Sequence, residues 1–206
     1  MAQYDVTRTN QAIERLLEVT TNPRHRFLLQ SYYRHRYLEI AGRYEEIFAP
    51  EMTVEHPVYH FHAVGIDTTL EGTENVRNLY RQWAELGQSI FYAENEQVAV
   101  ADNYVASMGI VYQQIPGQVL AAAGKDVDRQ ATYLYRTVEE MVWPYDDRGR
   151  MVGEDVWEPD PQRAELIKLD PADVVTTAQA RVLLDPLIKP QPAFDSATMA
   201  PGLQRS

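Results

Sequence analysis

The chain has 206 residues, of which 45% are apolar and 24% charged, and it carries a formal net charge of −11. These values are typical of a globular protein that buries a sizeable core. Nucleic acids and anionic membrane surfaces are bound by clustered Lys and Arg, so the acidity excludes both as expected partners. The chain contains no cysteine, which excludes disulfides, thiolate nucleophiles and thiolate metal ligands.

Targeting signals are also missing from the sequence. No apolar run approaches the roughly 20 residues that a membrane helix needs. The first five residues lack the basic and apolar regions of a signal peptide. We therefore expect a cytoplasmic protein.

The first half of the chain is predicted to be mostly helical. Asn22 and Pro23 form an N-cap and first-turn pair that opens a long helix, and Pro50 marks its end. Gly87 ends a later helix. The predicted elements are, in chain order, a helix over 10–19, a helix from 23 towards 50, a strand over 52–56, a loop over 59–71 and a helix over 73–86.

The second half predicts an antiparallel meander between Ile90 and Trp157. Asp102-Asn103 separates two extended runs, as a tight hairpin turn would, and residues 146–149 separate two more. The run 104–112 is apolar on both alternating faces, which predicts a strand covered on both sides. Helices followed by strands indicate the α+β class.

The composition changes after Pro159. Asp170-Pro171 can cap a short amphipathic helix that extends to Val182, and four later prolines prevent further regular structure. We predict a domain over 1–158 and a C-terminal arm over 159–206, which is partly extended or disordered, or lies over a partner subunit.

The segment Phe48–Val58, with the sequence FAPEMTVEHPV, closely resembles the stretch that carries the catalytic base in bacterial ketosteroid isomerases. The catalytic Asp of that family corresponds to His56. An ungapped count back from Phe48 places Tyr32 on the family's oxyanion-hole tyrosine. Gly72-Thr73 resembles the start of the family's third helix.

These isomerases belong to the superfamily that resembles nuclear transport factor 2, which also holds SnoaL-like polyketide cyclases and non-catalytic binding domains. The resemblance covers about residues 10–157. It implies a cone-shaped α+β barrel, in which helices pack on a strongly curved, mostly antiparallel sheet around a deep apolar pocket.

The resemblance also implies roles for individual residues. His56 would act as general base and acid, because an imidazole with a pKa near 6.5 can take and return a proton at neutral pH. Tyr32 would polarise a carbonyl or hydroxyl group. The second acid of the isomerases aligns near Met141. Glu139 lies one pleat away on the same face, where its carboxyl group could orient another group of the site or donate a hydrogen bond.

The predicted function is that of a lyase (dehydratase) or an isomerase acting on a hydrophobic polyketide-, steroid- or terpenoid-like molecule, with no cofactor. The alternative is a non-catalytic ligand-binding or oligomerisation domain of the same fold. The predicted substrate-binding residues are His60, His62, Trp83, Met108 and Tyr112.

His56, His60 and His62 could approach one another and offer three imidazoles to a metal ion. Pro57 interrupts the strand, however, and no later histidine could complete the site, so we predict no metal. The apolar sheet predicts at least a homodimer through its outer face.

Overall fold

A computed structural model describes residues 5–202 of the chain. Its helices are α1 (Gln11–Val19), α2 (Pro23–Ile40), α3 (Thr73–Leu86), α4 (Gly117–Ala122), α5 (Thr177–Leu184) and α6 (Ser196–Met199). Its strands are β1 (Thr53–Ala63), β2 (Ile66–Glu71), β3 (Phe91–Val100), β4 (Tyr104–Pro116), β5 (Thr132–Pro144), β6 (Met151–Trp157) and β7 (Glu165–Lys168). Short 3-10 turns cover Val6–Arg8, Tyr44–Phe48, Pro161–Arg163, Pro171–Asp173 and Asp185–Leu187.

The strands form one sheet in the order β2-β1-β6-β5-β4-β3, and β7 adds a second pairing to β5. Every pairing is antiparallel except the parallel one between β1 and β6. The ends of the sheet, β2 and β3, do not pair with each other, so the sheet is open. The predicted α+β class with a mostly antiparallel sheet is confirmed.

The long helix α2 begins where the sequence predicts. The Asn22 side chain accepts hydrogen bonds from the backbone N–H groups of Arg24 and His25 at 2.9 and 3.2 Å. Thirteen of its eighteen residues are buried, so α2 is a central helix. It ends at Ile40 and does not continue to Pro50, because Gly42 turns the chain with a φ of 64°. No helix within residues 5–202 combines the length and apolarity that crossing a bilayer requires.

The prediction of a loop over 59–71 is wrong. β1 runs through Pro57 to Ala63, and a tight turn at Val64-Gly65, with φ values of 55° and 76°, connects it to β2. A register shift between Thr53 and Val58 accommodates the proline in the β1–β6 pairing. β2 is a six-residue edge strand that alternates half-buried and exposed residues and has none that is fully buried, so its apolar signal in the sequence is weak.

The predicted hairpins of the second half are confirmed by the pairings of β3 with β4 and of β5 with β6. The expectation that the strand over 104–112 is covered on both sides is wrong for the single chain. The outer face of the sheet exposes large apolar side chains, namely Tyr104, Met108, Val138, Val142 and Trp157.

The C-terminal segment packs on its own chain. Ala180 and Leu184 of α5 are fully buried. The ring of Phe194 meets that of Phe27 edge to face, with 5.5 Å between their centroids. The Tyr33 hydroxyl donates to the carbonyl oxygen of Leu187 at 3.3 Å. The segment therefore covers α2, while the domain boundary at residue 158 stays a prediction.

Candidate active site

A pocket lies between α2, α3 and the inner face of the sheet. Its volume is about 70 Å³, on a scale where one water needs about 10–15 Å³, so it can hold a small organic group. Its walls are largely aromatic and apolar, and include Phe61, Trp83, Phe91, Trp143 and Val156. Charged side chains from α2, β5 and β6 also line it.

Glu139 is placed in this pocket by the alternation of β5. It lies between Thr137 and Met141 on the inner face, and it is only 7% exposed. Its carboxyl group forms no hydrogen bond or ion pair with any residue between 5 and 202. Burial, followed by repulsion from Glu158, raises the pKa of Glu139 to about 7.

Two further carboxyl groups face the same pocket. Glu154 on β6 accepts a hydrogen bond from the Tyr80 hydroxyl at 3.2 Å, and Glu39 extends from α2. Burial, and after it the charge of Glu139, raises the pKa of Glu154 to about 8. Burial and the charge of Glu154 raise the pKa of Glu39 well above its usual value.

The cation of the pocket, Arg36, already has a partner. Its Nη1 donates to both carboxylate oxygens of Glu96, at 2.8 and 3.0 Å, and the two side chains are 1% and 2% exposed. A bulge in β3 brings Glu96 to the inner face: the register shifts between Glu94 and Gln97, and Asn95 has a φ of 53°. Because Arg36 is paired with Glu96, its charge only partly offsets the burial of the other carboxyl groups, whose pKa values it lowers.

A buried histidine supports Glu154 through a tyrosine. His35 Nε2 lies 3.0 Å from the Tyr80 hydroxyl oxygen. Since that hydroxyl donates its proton to Glu154, the imidazole N–H must donate to Tyr80. Burial, with a smaller contribution from Arg36, lowers the pKa of His35 to about 3, so the ring is neutral at physiological pH.

The structure does not bring together the pair predicted to perform catalysis. His56 is exposed, its ring lies against Gly72, and it does not line the pocket. Tyr32 is fully buried behind the pocket wall, where its hydroxyl lies 3.0 Å from Ser107 Oγ and its ring packs on Trp143. Of the three predicted catalytic residues, only Glu139 lines the pocket.

The predicted substrate-binding residues are also divided. Trp83 lines the pocket. Met108 is exposed on the outer face of β4, where Tyr112 also lies, with its hydroxyl donating to Glu94 at 3.0 Å. These two residues therefore lie on the opposite side of the sheet from the pocket.

The other two predicted histidines, His60 and His62, also lie outside the pocket. His60 pairs with Asp155 at 2.5 Å, and His62 stacks on Trp157 with 4.1 Å between the ring centroids. Within the part of the chain that the structure describes, no group of three or more His, Asp or Glu side chains is arranged to hold a metal ion.

Three pocket residues, Arg36, Glu39 and Glu154, were not identified from the sequence. A signal for the first two was present, because residues 32, 36 and 39 are spaced i, i+4 and i+7 and so share one face of a helix. Glu154 alternates with Val152 and Val156 on β6, and a charged residue at such a position suggests an inner-face site.

Comparison with known proteins agrees with this architecture. No family model and no curated protein matches the sequence. A crystal structure from Jannaschia sp. CCS1, assigned as a SnoaL-like polyketide cyclase, is 12% identical and superposes with a TM-score of 0.51 over 68% of this chain and 90% of that chain. An NTF2-like protein from Anabaena variabilis ATCC 29413 is 10% identical, with a TM-score of 0.49 over 68% and 93% of the two chains.

An open, mostly antiparallel sheet that carries helices and a pocket on one face defines the class of the protein. The chain has the NTF2-like, SnoaL-like fold. The resemblance seen in the sequence is thus confirmed at the level of the fold.

Proposed function

We propose that the protein is a small-molecule enzyme of the lyase or isomerase type, in which Glu139 transfers a proton within the pocket. The observation that carries this proposal is a carboxyl group that is buried in the pocket wall, unpartnered in the described chain and has a pKa of about 7. A group with this pKa is present in both protonation states at neutral pH, so it can take a proton and return it.

The reaction would begin with a carbon next to a carbonyl group of the substrate. The carboxylate of Glu139 takes the proton from this carbon, and the electrons of the C–H bond move towards the carbonyl oxygen. Return of the proton to another carbon completes an isomerisation. Glu154, which its raised pKa keeps largely protonated at pH 7, would instead donate to a leaving hydroxyl group in a dehydration.

The roles of His56 and Tyr32 stay predictions, and neither is used in this proposal because neither side chain lines the pocket. The aromatic walls favour a hydrophobic substrate. The relative from Jannaschia is assigned as a polyketide cyclase, which makes a carbonyl-rich, polyketide-like compound one substrate class to test.

Proton transfer can be measured without knowing the product. The probe is 4,4-dimethylcyclohexanone in D₂O at neutral pH, and the measurement is deuterium uptake next to its carbonyl group by NMR. The wild-type protein should accelerate uptake, and Glu139→Gln should reduce the acceleration by about 10² or more. Glu140→Gln is the matched control, because Glu140 is exposed on the outer face of the same strand. Equal acceleration by wild type and Glu139→Gln would disprove the role of Glu139.

The second candidate function is non-catalytic ligand binding. It is favoured by the position of His56, because the residue that aligns with the isomerases' catalytic base is exposed outside the pocket. Under this alternative the probe ketone binds, as shown by shifts of its NMR signals, and takes up no deuterium above the buffer rate.

We also propose that the protein forms a homodimer through the outer face of the sheet. The exposed side chains of Met108, Val138 and Val142 lie on adjacent strands and present apolar surface to water around the exposed Glu140, which is paired with Met108. Val142→Lys should shift the sedimentation coefficient from that of a dimer to that of a monomer. A wild-type protein that is monomeric at high micromolar concentration would contradict the dimer.

A further inference from the structure

The charges of the pocket do not balance. The side chains that line it include three carboxyl groups, from Glu39, Glu139 and Glu154, and one cation, Arg36. Arg36 pairs with Glu96 through Nη1, while its Nη2 has no hydrogen-bond partner among the described residues. Its charge lowers the pKa of all three pocket carboxyl groups, but burial outweighs this effect. Full ionisation would therefore leave the pocket with an excess of three negative charges.

An acidic cluster alone does not indicate a ligand, but Glu139 adds a second observation. More than nine-tenths of this side chain is buried, it faces the pocket, and no residue in the range 5–202 hydrogen-bonds to it or pairs with it. A buried carboxylate is costly unless a cation or hydrogen-bond donors compensate it. The compensating group in this pocket must come from a ligand or a bound proton.

The walls of the pocket are suited to one kind of cation. Phe61, Trp83, Phe91 and Trp143 supply aromatic rings, whose faces attract organic cations and whose surface favours attached hydrocarbon. An inorganic metal ion would need a defined set of ligands, and the described residues contain no such group. Anions would be repelled by the carboxylates.

We infer that the pocket binds an organic ammonium group, with the cation seated against the carboxylate of Glu139 beside the carboxyl group of Glu154, and its hydrocarbon portion against the aromatic walls. This inference rests on the proposed function for the identity of the site, and it adds the substrate class: a small, hydrophobic molecule that carries both a positively charged nitrogen and a carbonyl group. Proton abstraction next to that carbonyl then occurs beside a fixed positive charge, which also helps to keep Glu139 ionised.

Binding of such a cation should strengthen as the pH rises. The titratable and charged groups around the pocket glutamates Glu39, Glu139 and Glu154 come from several elements. They are Tyr32, His35 and Arg36 on α2, Tyr59 on β1, Tyr80 on α3, Glu96 on β3, Tyr135 on β5, Asp155 on β6, and Tyr145 and Glu158 outside the strands. The neutral His35, the raised pKa values of the tyrosines and the Arg36–Glu96 pair leave the pocket glutamates as the groups that change charge. With a pKa of about 7 for Glu139, its ionised fraction, and with it the affinity, rises about tenfold between pH 6 and pH 9.

A pair of isosteric probes isolates the charge. 1,1-Dimethyl-4-oxopiperidinium carries a permanent positive charge, and 4,4-dimethylcyclohexanone has the same shape and carbonyl group without it. Calorimetric titration of the full chain at pH 8 should show at least tenfold tighter binding of the cation. Glu139→Gln and Glu154→Gln should each reduce this preference about tenfold or more, while Glu140→Gln leaves it unchanged.

Equal or tighter binding of the neutral ketone by the wild-type protein would overturn the inference, as would an unchanged preference in Glu139→Gln. Deuterium uptake by the two probes separates this result from the fate of the proposed function. If the neutral ketone takes up deuterium but the cation does not bind preferentially, the catalytic role of Glu139 stands and the ammonium substrate class is disproved. If the cation binds preferentially but neither probe takes up deuterium, the ammonium site is supported and the catalytic role of Glu139 is disproved.

Discussion

The Glu139→Gln variant should gain stability relative to the wild type as the pH rises. The carboxyl group has a pKa of about 7 in the folded protein, above the ordinary glutamate value of 4.5. Below pH 4.5 it is protonated in both the folded and the unfolded state, so it does not make the free energy of unfolding depend on pH. As the pH rises from about 4.5 to 7, the unfolded state releases the proton more readily, and the free energy of unfolding falls.

The size of the effect follows from the shift. A difference of about 2.5 pKa units corresponds to about 3 kcal/mol at 1.36 kcal/mol per unit, and the side chain is buried, so solvent screening does not reduce this value. Gln has nearly the same shape and cannot ionise. The variant should therefore gain up to about 3 kcal/mol over the wild type between pH 4 and pH 9, whatever constant offset its amide group introduces.

The assay is urea unfolding followed by tryptophan fluorescence at several pH values between 4 and 9. Glu140→Gln, on the outer face of the same strand, should show no comparable pH-dependent gain. A stability difference between Glu139→Gln and wild type that stays constant over this range would refute the claim that Glu139 is a buried, raised-pKa acid.

Three other residues give predictions of the same kind. Arg36→Met should lower the free energy of unfolding by about 3–5 kcal/mol in urea, because it leaves Glu96 buried without its partner. The double variant Arg36→Met, Glu96→Gln should recover much of that stability. No recovery would show that the loss of the ion pair is not the cause. His35→Gln should make stability less sensitive to acid. The wild type loses on the order of 4 kcal/mol of unfolding free energy as the pH falls from 6.5 to about 3, because the imidazole is protonated in the unfolded state and stays neutral when buried. Parallel pH profiles of the variant and the wild type would contradict this. Gly149→Ala should lower the melting temperature by several degrees, since Gly149 has a φ of 71° and a Cβ atom there would press on the Phe27 ring; an unchanged melting temperature would show that the turn can relax.

The elements that the sequence predicted well depend on short-range chemistry. Asn22 and Pro23 start α2 because a side-chain acceptor and a fixed φ act within one turn. Gly87 ends α3 in the left-handed conformation, and residues 101–103 connect β3 to β4 as a turn between two extended runs. Each signal is contained in a few consecutive residues, so no tertiary information was needed.

The elements that were missed depend on distant partners. β2 is held by pairing with β1 and buries little of its own surface, and β7 exists because β5 offers it a free edge. The C-terminal segment could not be assigned to its own body or to a partner, because the apolar residues that it buries would suit either surface.

For the candidate site, the sequence by itself determined that a carboxyl group at Glu139 shares one strand face with Met141, since that relation is the two-residue period of a strand. Only the tertiary structure decided that Glu39 and Glu154, from an early helix and a late strand, meet Glu139 in one pocket while His56 stays outside. The physical reason is that burial and mutual repulsion set the pKa values of these groups, and both are properties of distances across the fold, which the order of residues along the chain does not contain.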